Sequence, residues 1–181
     1  AAVDAVIAAG EDGQVLVEEA DSDNIRVETI DGCIVTSGLK DLGSIGLAFI
    51  NDRSSQQAKM DAGLVFLYDG TINDLKVPAA IQQAVEGTEL YGKPIIVFAH
   101  GFSDLVLDKF AKTTKGGYTV IPVKTPLGGV ANSRSMFLFD MAAYTGAQVI
   151  DPGILDKFIE DEELDEAFCT DSIYVGRCGT E

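Results

Sequence analysis

The sequence predicts an α/β domain of the three-layer β/β/α type, in which a mixed sheet with flanking helices is backed by a second, antiparallel strand layer. Two observations carry this prediction. Residues 63–151 alternate strand-like apolar runs with helical repeats, the pattern of strands joined by helical crossovers. The two ends, by contrast, are rich in short β-branched runs separated by turn residues.

Taken in order, "AAVDAVIAAG" sets Val3, Val6 and Ile7 at helical spacing and stops at Gly10. "QVLVEEA" and "NIRVETIDG" are predicted strands joined by the turn-forming "DSDN". Residues 32–63 are rich in glycine and serine and are predicted to hold loops and brief strands, "IGLAFIN" among them. "GLVFLYDG" (63–70) is a buried-type strand. "INDLKVPAAIQQAVEGTELYG" (72–92) is mostly helix, with Pro78 in its first turn and Ile81 and Val85 on one face. There follow the strand "PIIVFAH", the helix "SDLVLDKFAKTTK" opened by a capping Ser103, and the strand "YTVIPVKTP". A helix over 133–146 stopped by Gly146, the strand "AQVID", a weak helix near 154–160 and a last strand "SIYVG" complete the chain.

Composition narrows the function classes. With 29 acidic and 13 basic residues in 181, the chain carries a formal charge of −16, so no nucleic-acid partner is expected, since such partners are held by Lys and Arg. No apolar run approaches the roughly 20 residues of a membrane span and no basic-then-apolar leader is visible, so no membrane partner and a cytoplasmic location are expected. Cys33, Cys169 and Cys178 are scattered, without a C-x-x-C, and the chain has one histidine; neither structural zinc nor a redox motif is expected. The acidic run "EDEELDE" (160–166) lacks the ligand spacing of a divalent-ion site and reads as a solvated face.

The single histidine, His100, is predicted at the carboxyl end of a strand before a helix N-terminus, where a general base or a phosphorylated nucleophile could sit. No G-x-S-x-G accompanies it, and the turns "KTPLGG" and "TTKGGY" match neither phosphate-binding glycine motif, so no catalytic residue and no cofactor is expected in this chain. The two central helices are the odder feature. Leu105, Val106, Leu107, Phe110 and Ala111, and likewise Ala79, Ala80, Ile81, Ala84 and Val85, give arcs wider than one core-facing stripe. Such surplus fits an exposed binding groove, and it fits two well-buried helices equally.

The order of four motifs resembles the group I chaperonins, the GroEL-like proteins, within their apical, polypeptide-binding domain. "GKPIIVFA" (92–99) is similar to the family's G-K-P-[LI]-[LI]-I-[IV]-A strand, and "DMAAYTGAQVI" (140–150) to its helix-to-strand passage. "VKTP" (123–126) and "FIN" (49–51) match two shorter signatures. Weaker likeness runs to both ends, where "AAVDAVIAAGEDGQVLVEEA" and "DSIYVGRCGT" resemble the passages into and out of the intermediate domain. Ser44 and Ala48 stand where the family has tyrosines, His100 and Gly101 replace an acidic pair, "PLGGVANSR" replaces a P-G-[FY]-G-D-R-R turn, and extra residues precede Gly92. These departures are those of a divergent member, viral or otherwise unusual.

The resemblance implies a swivelling-type apical domain, with 1–30 as an intermediate-domain piece and entering strands, 31–168 as the polypeptide-binding domain and 169–181 as the exiting strand. It implies a chaperone fragment that binds non-native polypeptides, and a co-chaperonin loop in competition, within a homo-oligomeric ring. The fragment itself would be no enzyme; ATP and Mg would belong to the equatorial domain of the parent. By position, the resemblance assigns the groove to Ile81 and Val85 of the first helix, Leu107, Phe110 and Ala111 of the second, and Ile45, Leu47 and Phe49 of the neighbouring loop, with polar Gln82 and Lys112 among them. The rival reading is a swivelling phosphohistidine domain with His100 as phosphoryl carrier.

Overall fold

Three consecutive apolar runs, Leu64–Leu67, Ile95–Ala99 and Val120–Val123, are buried residue after residue, as happens when both faces of a parallel sheet are covered. The computed structural model describes residues 2–11, 24–27, 37–54, 57–60, 63–86, 91–128, 132–160 and 177–178, with single positions at 13, 15, 17, 29 and 35. The chain divides into two units, Ala1–Ile34 and Val35–Glu181.

In the first unit, helix α1 (Ala2–Ala9) ends at Gly10, whose φ of 76° lets its N–H return to the Val6 carbonyl at 3.2 Å. Its apolar residues Val3, Val6 and Ile7 are exposed. The strands expected over 14–20 and 24–32 lie largely outside the described residues, and the described Asn24–Val27 carry no ladder.

The second unit is built on a parallel sheet of β2 (Leu64–Ile72), β3 (Ile95–Phe102), β4 (Val120–Lys124) and β5 (Val149–Ile150), in the order β4-β3-β2-β5. The α/β class with flanking helices holds; among the described strands every pairing of this sheet is parallel, and antiparallel pairing is confined to β1 (Ala58–Lys59) with β6 (Arg177–Cys178). The predicted last strand at 172–176 lies outside the described residues.

Helices α2 (Lys76–Val85) and α3 (Asp104–Lys115) make the crossovers β2 to β3 and β3 to β4. Helix α4 (Ser133–Thr145) carries the chain back across the sheet to β5, beyond β2. Right-handed crossovers running in opposite directions place α4 on the face opposite α2 and α3. A short α5 (Leu155–Glu160) follows. No helix among the described residues is long and apolar enough to cross a membrane.

The local chemistry fits each element. Pro122 sits in β4, which among the described strands pairs with β3 alone, so its missing N–H costs no ladder bond there. Ser103 caps α3, accepting from Val106 N at 3.4 Å, and Gly146 (φ 76°) closes α4. Strand β2 bulges between Tyr68 and Thr71, and a β-carbon at Gly70 would lie 2.8 Å from the Pro152 side chain.

The loops expected over 32–63 are replaced in part by a 3-10 helix, Leu39–Phe49. The Asp41 carboxylate accepts from Gly38 N at 2.8 Å and from Ser37 Oγ at 3.0 Å, which starts the helix. Gly43 (φ 66°) joins its two halves. Leu39, Leu42, Gly46 and Phe49 point inward, close to the three-residue period of this helix type. The segment packs against β4 and α3, and Lys124 Nζ bonds the Asp41 carbonyl at 2.7 Å.

Because Phe66 is completely enclosed, Phe66→Ala should lower stability by about 3–5 kcal/mol, and Ser103→Ala by about 1 kcal/mol. Urea unfolding midpoints followed by circular dichroism measure both.

Candidate functional site

Helices α2 and α3 lie side by side, and their inner stripes are set by the sheet beneath them. Val77, Ala80, Ile81 and Val85 of α2 and Val106, Leu107, Phe110 and Ala111 of α3 are buried in one continuous core with Phe49 and the strands. This corrects the expected groove. Ile81 is 1% exposed, Val85 0%, Leu107 3%, Phe110 2%, Ala111 7% and Phe49 1%, so these six side chains do not face solvent. Ile45 is partly buried against the same core, and only Leu47, 62% exposed, stands out as the resemblance implied. Of the two wide apolar arcs, Leu105 (57% exposed) and Ala79 stay outside and Ala84 is half-buried, while the other members are buried in the core.

What the two helices do leave between them is a cleft of about 350 Å³ with an amphipathic lining. Gln82, Val85 and Glu86 come from α2 and its end, Lys109, Lys112, Thr113 and Gly116 from α3 and its end, and Tyr91 and Tyr118 from the segments beside β3 and β4. Of the residues expected in the groove, Val85 and the polar Gln82 and Lys112 reach it. The Gln82 amide donates to Glu86 Oε1 at 2.7 Å, and Thr113 Oγ1 donates to the Lys109 carbonyl at 2.9 Å. The rings of Tyr91 and Tyr118 stack with centroids 6.3 Å apart and planes 22° from parallel. Tyr118 is half-buried and its hydroxyl has no hydrogen-bond partner among the described residues. Burial, and then the nearby Tyr91 and Glu86, raise the Tyr118 hydroxyl above the ordinary tyrosine range.

His100 falls near the carboxyl end of β3 and shortly before the N-terminus of α3, as expected, though the strand runs on past it. It lies within β3, which continues to Phe102, and its Nε2 is 2.9 Å from Asp69 Oδ1 of β2. Ser135 of α4 donates to the same carboxylate oxygen at 2.7 Å, and Arg134 Nη1 donates to the His100 carbonyl at 3.2 Å. This polar cluster ties the bulged end of β2 to α4. Each of these contacts joins residues at least 31 apart in sequence, so no local pattern announced it. The carboxylate facing Nε2 would repel an incoming phosphoryl group, which weighs against the phosphoryl-carrier reading. Among the described residues no group of three His, Cys, Asp or Glu is placed to hold a metal ion.

A second apolar surface was not anticipated. Met136, Phe139 and Tyr144 of α4 are 60%, 59% and 58% exposed, on the side turned away from the buried Leu138 and Met141.

No family model matches the chain. It is 32% identical over 157 residues to a protein named chaperonin GroEL 1 from Mycolicibacterium gilvum, a match covering 83% of this chain and 26% of that protein. The protein of the same name from Mycobacterium leprae is 34% identical over 148 residues, 79% of this chain and 25% of that one. The Mycobacterium tuberculosis protein is 32% identical over the same length. The chain thus spans about a quarter of the length of the curated relatives it matches.

Two outcomes check the placement of these groups. Leu107→Glu should abolish cooperative urea unfolding, because it places an unpaired carboxylate in the core, whereas Leu107→Met should cost less than about 1.5 kcal/mol. Tyr118 and Tyr68 are both raised above 10.0, Tyr68 mainly by burial and then by Asp74. Their protonated forms therefore stabilise the fold in full below about pH 10, and that contribution is lost as pH climbs through the raised values. The urea midpoint should fall above about pH 10, and Tyr118→Phe should flatten the fall.

Proposed function

The chain is a divergent GroEL-like chaperonin sequence over 79–83% of its length, and from that premise we propose that it is a polypeptide-binding module of a chaperone. The observation that supports a binding role is the open cleft between α2 and α3, a pair of helices carried on a rigid parallel sheet. A non-native segment would lay an apolar side chain against the Tyr91 and Tyr118 rings and Val85, while its backbone meets Gln82 and the lysines. Burying apolar surface contributes roughly 25 cal/mol per Å². A cleft of this size holds a few side chains, so one module binds weakly once the ordering of a flexible segment is counted.

Weak single sites become effective when several are presented together. In a homo-oligomeric ring of a longer parent protein, avidity gains on the order of 10²–10⁴ would hold a client without tight individual contacts. Release would be driven by ATP and Mg bound elsewhere in that parent, and a co-chaperonin loop would compete for the same cleft. The chain described here is on this reading the binder and not the ATPase.

Immobilised at high density, the chain should capture chemically unfolded proteins saturably. Tyr91→Ala should weaken capture several-fold with unchanged circular dichroism, while Phe139→Ser on the α4 surface should leave it intact. Capture lost in Phe139→Ser and kept in Tyr91→Ala would move the site to α4. No capture by the folded chain would end the proposal.

A further inference from the structure

Resting on that reading, we propose that the α2–α3 cleft is selective: it takes polypeptide segments that combine an aromatic side chain with flanking Asp or Glu, rather than segments that are merely apolar. The lining departs from an oily groove in a specific direction. Lys109 and Lys112 border it, Lys115 follows one turn on, and none of these three ammonium groups has an acidic partner among the described residues. The one acid of the lining, Glu86, is engaged by Gln82 at 2.7 Å. Three of the chain's 13 basic residues therefore fall within one stretch of α3, in a protein of net charge −16.

The aromatic requirement comes from Tyr91. Its side of the cleft is open, at 67% exposure, and its ring is already oriented by stacking on Tyr118. A preset ring offers a second aromatic a stacking surface at little ordering cost. A basic segment would meet two ammonium groups instead of carboxylate partners. A nucleic acid or a second copy of this chain would meet the overall negative field before reaching the lysines. That field also repels acidic peptides at long range, so the selection acts at contact, within the screening length of roughly 8 Å at 0.15 M salt.

The test is a charge-swap binding experiment with the full chain at fixed ionic strength. Fluorescein-labelled peptides of about 12 residues would share one length and one aliphatic content. One carries Glu around a Phe, one carries Lys around the same Phe, and one keeps Glu with Ala in place of Phe. Anisotropy should show the Glu/Phe peptide binding about 10-fold tighter than the Lys/Phe peptide, with each lysine contributing up to about 5-fold. The double variant Lys109→Glu/Lys112→Glu should invert that order. Tyr91→Ala should weaken the Glu/Phe peptide by about 2- to 10-fold and leave the Glu/Ala peptide unchanged. Equal binding of the acidic and basic peptides would overturn the selectivity and leave the chaperone reading standing. Binding of none of them by folded chain, free or crowded on a bead, would overturn both. An acidic preference that survives the double variant and is lost in Phe139→Ser would overturn the assignment to this cleft.

Discussion

Everything in the larger unit depends on burying both faces of a parallel sheet. Strands β2, β3 and β4 offer unbroken apolar runs, so water must be excluded above and below them. Among the described residues, helices are the elements long enough to do it. That requirement decides the fate of most apolar residues on α2 and α3, which join the strands in one core, α3 also meeting the 3-10 segment. The same constraint explains why the cleft is amphipathic: once the core has taken Ile81, Leu107, Phe110 and Ala111, the outward stripe is left with Gln82, Lys109 and Lys112.

On the proposed function, a module with such a cleft would recognise clients differently from one with an apolar surface. An oily groove rewards any exposed hydrophobe in proportion to area. A cleft edged by lysines and floored by stacked tyrosines rewards a smaller set of sequences, because charge and ring geometry add direction to burial. Substitutions at the surface can retune that preference without disturbing the fold, since the selective groups lie outside the core. The Asp69, His100 and Ser135 cluster, for its part, fastens the bulged end of β2 to α4 on the opposite face from the cleft.

The alternation of strands and helices over 63–151 was legible because each element obeys its own period, and the glycine stops at Gly10 and Gly146 and the serine cap at Ser103 were legible because they act within one turn. The 3-10 helix was not. Its glycines and serines favour loops on propensity, and it forms because Asp41 caps it and β4 and α3 bury its Leu39 and Phe49. The four-residue spacing of Ile81 and Val85 was likewise read correctly as one face, but spacing names the stripe and not what covers it.

By itself, the sequence determined the α/β class, the positions of the main strands and helices, and the kinship with GroEL-like proteins, because those follow from local periodicity and motif order. Only the tertiary structure decided which apolar side chains face water. Exposure depends on partners brought from far along the chain, and here those partners enclosed six of the apolar residues that the resemblance had placed at the surface and left Leu47, Tyr91 and Lys112 outside.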